Sequence, residues 1–221
     1  MTNASKKRNA QPLKGEEGSQ IQRLVPTQKR SRERYELILS TAAELIAEKG
    51  SESLKMSDIV ETAGVPHGSL YQYFADKHAI IATLAERCYL DGHACVEEEL
   101  ANVSNQKELH TASLNLIDGY YEIFIKEPLM RDIWHATQSS RQLQQLDSED
   151  MNVLAGILAR VIQRLKPDSD AHTVFVSALL IMHLISAAVR HAISIDAKDG
   201  QMTINAFKRI FPKNLSALLD E

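Results

Sequence analysis

Residues Asp58 to Lys77 read DIVETAGVPHGSLYQYFADK, and their order decides the fold. Ile59, Val60 and Ala63 share one face over two turns, the spacing of an amphipathic helix. Gly64 follows at once, and glycine most readily takes the left-handed conformation that ends a helix. Pro66 suits the first turn of a new helix, where its missing N–H would be unpaired anyway. The pattern predicts a helix over about Met56–Ala63, a tight turn, and a second short helix over Pro66–Tyr73. That second helix carries His67, Ser69, Tyr71, Gln72 and Tyr73, with only Leu70 and Phe74 as plain core residues. A helix so poor in apolar residues is not there chiefly to fill a core. Its side chains suit phosphate oxygens and base edges in a major groove. Two short helices joined by a glycine-containing turn form the helix-turn-helix pattern. Asp76 is a good cap for a third helix, which begins at Lys77.

The order of Ile59, Ala63, Gly64, Val65, Gly68, Ser69, Leu70, Tyr71, Tyr73, Phe74 and Lys77 resembles the DNA-binding signature of the TetR (tetracycline-repressor) family of bacterial regulators. The resemblance covers about Arg32 to Leu90; beyond it the chain fits that family in length and helix pattern, not in motif. It implies double-stranded DNA as partner, with Tyr71, Tyr73 and Lys77 on phosphates. It puts Ser57, His67, Gly68, Ser69 and Gln72 near base edges or the groove floor. The residues agree in kind: Gln can pair with adenine, and Ser bonds promiscuously. Gly68 costs a helix roughly 1 kcal/mol against Ala, which a close backbone approach to DNA would explain. The chain departs from the family at Lys55, where a Ser or Thr commonly caps the helix and touches a phosphate; a Lys reaches a phosphate as a point charge. Pro66 stands where many members have Ser.

A net charge of −4 is unusual for a DNA binder until it is divided along the chain. Residues 1–35 hold nine Lys+Arg against three Glu, while residues 36–90 hold four against eight Asp+Glu. Phosphate attraction is therefore expected to be local, through Lys29, Arg30, Arg32 and Arg34. Residues 1–30 are polar and aperiodic, a disordered basic extension. A first helix is expected from Ser31, with Tyr35, Ile38, Leu39, Ala42, Leu45 and Ile46 as its stripe, ending at Lys49 and Gly50. Cys88 and Cys95 lie seven apart on one helix, too far for a mutual disulfide, and free thiols fit a cytoplasmic protein. No apolar segment near the N-terminus suggests a leader, and the apolar run Val174–Val189 is short for a membrane span, so no membrane partner is expected. There is no GxGxxG, P-loop, GxSxG or HExxH pattern, and the eight His are scattered. Neither enzyme, cofactor nor metal site is expected.

The rest of the chain reads as helices over Leu109–Lys126, after Pro128, Ser148–Lys166, Asp170–Ser194 and Thr203–Leu219, the last bent at Pro212. No strand pattern occurs. The fold class is all-α: a three-helix helix-turn-helix head at 31–76 and a larger helical ligand-binding and dimerisation domain at 77–221. Tyr120, Tyr121, Phe124, Met130 and Trp134 cluster on two adjacent helices and are candidates for a pocket holding a hydrophobic small-molecule effector. His110, Asp118, Asp132 and His135 are expected to supply the ionisable groups near them. The apolar stretch Asp170–Ser194, paired with the last helix, is expected to build a homodimer that reads a near-palindromic operator. The expected function is a DNA-binding regulator acting as a repressor and released by its effector. Two alternatives stay open: the same fold controlled by a protein partner, and an enzyme with a helical core.

Overall fold

A computed structural model describes residues 28–138 and 140–215. Residues 1–27 of the expected extension lie outside the described residues. Among the described residues there are nine helices: α1 (Lys29–Lys49), α2 (Met56–Ala63), α3 (His67–Tyr73), α4 (Lys77–Leu100), α5 (Gln106–Lys126), α6 (Pro128–Thr137), α7 (Arg141–Leu165), α8 (Ala171–Ile193) and α9 (Ala197–Ile210).

The punctuation expected of the opening stretch is present. Gly64 ends α2 at φ 64, ψ 29, the left-handed region. Pro66 becomes the N-cap residue of α3 rather than its first helical residue. The Asp76 carboxylate accepts the Ala79 N–H at 3.0 Å and caps α4. Lys55 occupies the N-cap position of α2 without any side-chain cap, so no Ser/Thr-type bond replaces the missing one. The head closes around Tyr35, whose ring stacks on Phe74 at 5.0 Å and meets Tyr73 edge-on at 5.8 Å.

Helix starts differ from expectation wherever a cap lies upstream of the apolar stripe. Lys29 and Arg30 already belong to α1, which is capped at Gln28 and not Ser31. α5 starts at Gln106, because Asn105 accepts the Glu108 N–H. α7 starts at Arg141: Ser140 accepts the Leu143 N–H, while Ser148 donates back to the Gln144 carbonyl in mid-helix. α9 starts at Ala197, with Asp196 accepting the N–H groups of Lys198 and Asp199. It ends at Ile210 and does not bend through Pro212, since Phe211 is extended (φ −63, ψ 135), as a residue before proline prefers.

The core forms two apolar clusters. One unites α1, α2, α3 and the first half of α4, and Ile133, Ala136 and Leu143 from α6 and the start of α7 seal it. The larger one joins α5, α7, α8 and α9 with the end of α4. α6 lies between them, presenting Ile133 and Ala136 to one cluster and Met130 and Trp134 to the other. α8 has 23 residues, and an 18-residue stretch of it has a mean hydropathy of 1.9, enough by length and composition to cross a membrane; here α5, α7 and α9 pack against it. α9 comes unusually close: a Cβ on Gly200 would lie 2.8 Å from the Tyr121 hydroxyl and nearer still to the Ala192 carbonyl oxygen.

Candidate nucleic-acid interface

In α3 the 100° step between residues sends Leu70 and Tyr73 inward. His67, Gly68, Tyr71 and Gln72 are left exposed, with Ser69 half-buried beside them. Tyr71 is 51% exposed, and its ring stacks on that of His67, one turn earlier, at 6.4 Å and 11°. Nothing lies within 4 Å of a Cβ built on Gly68, so packing within the chain does not require glycine there. Lys55 and Ser57 are exposed at the start of α2, the Ser57 hydroxyl donating to Asp58 Oδ1 at 3.2 Å. The Lys77 ammonium, at the start of α4, donates to the Glu52 carbonyl at 3.0 Å and so ties the α1–α2 connector to α4.

Two positions change the picture. Tyr73 is only 3% exposed and sits in the head core against Tyr35. A phenol packed there supports α3 from behind and leaves little of its surface for the expected phosphate contact. Arg34, which reads in sequence as one charge of a basic arm, extends from α1 to α3 and donates to Ser69 Oγ at 3.4 Å. The helical step from Tyr35, which is buried, is the signal that fixes where Arg34 points.

The five candidate effector residues all belong to the larger apolar cluster. Tyr121 and Phe124 are buried in the larger cluster, and Tyr120, Met130 and Trp134 pack against it; Tyr120 meets Phe124 edge-on at 5.0 Å. The ionisable groups beside them are not those expected. His110 donates to the Pro212 carbonyl, Asp118 pairs with Lys208, Asp132 lies near Gly50, and only His135 neighbours Trp134, at 4.7 Å between rings.

A polar centre that sequence reasoning missed gathers there instead. His93 Nε2 lies 2.6 Å from Asp150 Oδ1. Asp147 accepts from Tyr89 at 3.3 Å and from Gln138 at 3.4 Å, with Arg190 4.0 Å away. The Arg190 guanidinium also lies over the Trp134 ring at 5.5 Å. Burial pushes the Asp150 carboxyl up to about 6, against the opposing hydrogen bond from His93. Burial likewise raises the Tyr89 phenol, with Asp147 adding to the effect, and raises Tyr120 to about 12. These residues come from α4, α6, α7 and α8 at no fixed spacing, so no local pattern announces them.

A third surface runs along α8. Val176, Leu180 and Leu184 are half or more exposed, and Ala187 and His191 continue the same stripe. Met202 and Ile210 are exposed on α9 beside it.

Comparison with known proteins completes the description. Residues 38–84 match the bacterial regulatory proteins of the tetR family, and residues 107–219 match the tetracyclin repressor-like C-terminal domain. An uncharacterized HTH-type transcriptional regulator of Bacillus subtilis, YvdT, is 47% identical over 53 residues. That match covers 24% of this chain and only 27% of the relative's length. The fatty acid metabolism regulator protein of Bacillus subtilis is 29% identical over 143 residues, covering 61% of this chain and 71% of that protein. The crystal structure of the transcriptional regulator FadR from Bacillus subtilis in complex with stearoyl-CoA superposes with a TM-score of 0.57 at 23% identity. The superposition covers 84% of this chain and 98% of that one, a likeness of fold.

Proposed function

Because this chain belongs to the tetR family of bacterial regulatory proteins, we propose that it is a homodimeric repressor, released from a near-palindromic operator by a hydrophobic small molecule. The family is one of DNA-binding transcriptional regulators, not enzymes. The observation that carries the DNA reading is the outward face of α3: His67, Gly68, Ser69, Tyr71 and Gln72 project from a helix whose other face is core. Lys55 and Ser57 at the start of α2, Lys77 at the start of α4, and Arg34 are the supporting contacts. In this reading Gln72 and Ser69 meet base edges, while Lys55, Lys77 and Tyr71 meet phosphates.

Residues 31–76 act as the reading head and residues 77–221 as the effector and dimer domain, in the cytoplasm. The exposed apolar stripe of α8 and its neighbours on α9 support a two-fold interface with a second copy. Tyr120, Tyr121, Phe124, Met130 and Trp134 form the effector site, and the stearoyl-CoA bound by FadR supports a ligand with a long apolar body. α4 carries the signal. It runs from the head to the larger cluster, and Arg87 on it clasps Glu36 of α1 through two hydrogen bonds of 2.7 Å. A ligand that favours a different seating of α4 therefore moves the head with it. A hundredfold loss of operator affinity requires about 2.7 kcal/mol of coupling, and DNA must weaken the ligand equally.

The test is to select bound sites from random duplex DNA, then to titrate hydrophobic compounds against the selected operator while following Trp134, the one tryptophan. A compound that changes Trp134 fluorescence and lowers operator affinity is expected, with Trp134→Ala weakening ligand but not ligand-free DNA binding. A broad screen without such a compound would favour control by a protein partner.

A further inference from the structure

Trp134 Nε1 is buried with no hydrogen-bond partner among the described residues. The same is true of Arg131 Nε, three residues earlier on α6, although another nitrogen of that guanidinium reaches the Phe124 carbonyl at 3.5 Å. Buried donors are rarely left unpaired, because their lost hydration is not replaced. Both orphans are N–H groups, so what is missing beside α6 is an acceptor.

The carboxylates nearby are already matched. Asp150 has His93, and Asp147 has Tyr89, Gln138 and Arg190. An anion entering beside Trp134 would meet Arg131 and Arg190, but also the Asp147 carboxylate 4.0 Å from Arg190. A cation would meet the Arg190 guanidinium that already covers the indole face. An uncharged oxygen satisfies the orphan N–H without burying a new charge, which is the costliest act available in such a site. Tyr120, Phe124 and Met130 belong with Trp134 to the same apolar cluster.

Resting on the effector site proposed above, we infer that the effector is an uncharged lipophile carrying a carbonyl-type oxygen, which accepts the Trp134 indole N–H while its hydrocarbon body lies against Tyr120, Phe124 and Met130. The oxygen selects the ligand, and the hydrocarbon supplies the bulk of its affinity. Arg190, with Asp147 4.0 Å away, covers the face of the indole ring.

One matched series tests this on the full-length protein: butyrophenone, butylbenzene, 4-phenylbutanoate and 4-phenylbutylammonium. With one tryptophan in the chain, a ¹⁵N-labelled sample gives one indole cross-peak. Butyrophenone is expected to move that proton downfield and to bind at least tenfold tighter than butylbenzene. Trp134→Phe, which keeps a ring and removes the N–H, should erase the difference between the two. The cross-peak measurement uses the unaltered chain, so the inference is tested even if the variant does not fold. Equal binding of ketone and hydrocarbon would overturn the inference and leave the effector site standing, as would tightest binding by either charged analogue. If none of the four bound or moved the peak, the effector site at Trp134 would fall as well.

Discussion

Replacing Leu180 by Glu should split the dimer while leaving the protomer folded. Leu180 is 57% exposed in the single chain, at the middle of the stripe formed with Val176 and Leu184. Its neighbours on the opposite face, Ala178, Ile181, Met182 and Ile185, are buried, so the change touches solvent and not the protomer core. Full burial of a leucine side chain is worth about 1.5–3 kcal/mol. Sealing the exposed half in both subunits therefore contributes roughly 2–3 kcal/mol to the dimer. A glutamate at this place also brings a carboxylate from each subunit into a drying interface, at a cost of several kcal/mol per ion. Together these terms exceed about 4 kcal/mol, a weakening of at least a thousandfold. Sedimentation equilibrium across nanomolar to micromolar protein reads this directly. Circular dichroism and thermal melting should show an unchanged helical content, and operator affinity should fall to that of a half-site. A compact wild-type monomer at micromolar concentration, or a Leu180→Glu dimer as tight as the wild type, would refute the placement of the interface.

The DNA face gives two further outcomes. Lys55→Ala and Lys77→Ala should each lower the salt slope of DNA binding by about one unit at every sequence, whereas Gln72→Ala should change preference at one base position by roughly 1–3 kcal/mol; titrations at several salt concentrations separate them. Tyr73→Phe should leave operator affinity unchanged, because the ring packs in the head core, while Tyr73→Ala should cost about 3 kcal/mol or more of stability in urea melts. Asp150 offers a pH test. Its carboxyl is raised to about 6 by burial, so between the ordinary carboxylate value and 6 the folded chain holds a proton that the unfolded chain has released. That contribution is full at acid pH and is lost as pH rises through about 6, and Asp150→Asn should flatten this part of the stability profile. Gly200→Ala should destabilise by about 1–3 kcal/mol and disturb α9, since the new methyl meets the Ala192 backbone carbonyl, which cannot swing aside, as well as the Tyr121 hydroxyl.

Local chemistry was legible wherever one short stretch held both the signal and its consequence. Gly64 after an apolar face, Pro66 two residues on and Asp76 before Lys77 each set a helix boundary, and the structure realises all three. The errors arose where the apolar stripe was read as the helix itself. Ser140 and Asp196 cap α7 and α9 upstream of the stripes, and polar first turns show no periodicity. Tyr73 illustrates a different limit: its residue type suits a phosphate as well as a core, and only its contact with Tyr35 settles which face it shares.

The sequence by itself determined the all-α class, the helix-turn-helix and the family resemblance, because capping, turn geometry and amphipathic spacing are interactions between residues a few positions apart. The polar centre was decided only by the tertiary structure. His93 and Asp150 are 57 positions apart, and Trp134 and Arg190 meet from different helices. Their pairing depends on how α4, α6, α7 and α8 pack, and burial, which is the main cause raising Asp150 and leaves the Trp134 N–H unpaired, is a property of that packing and of no single segment.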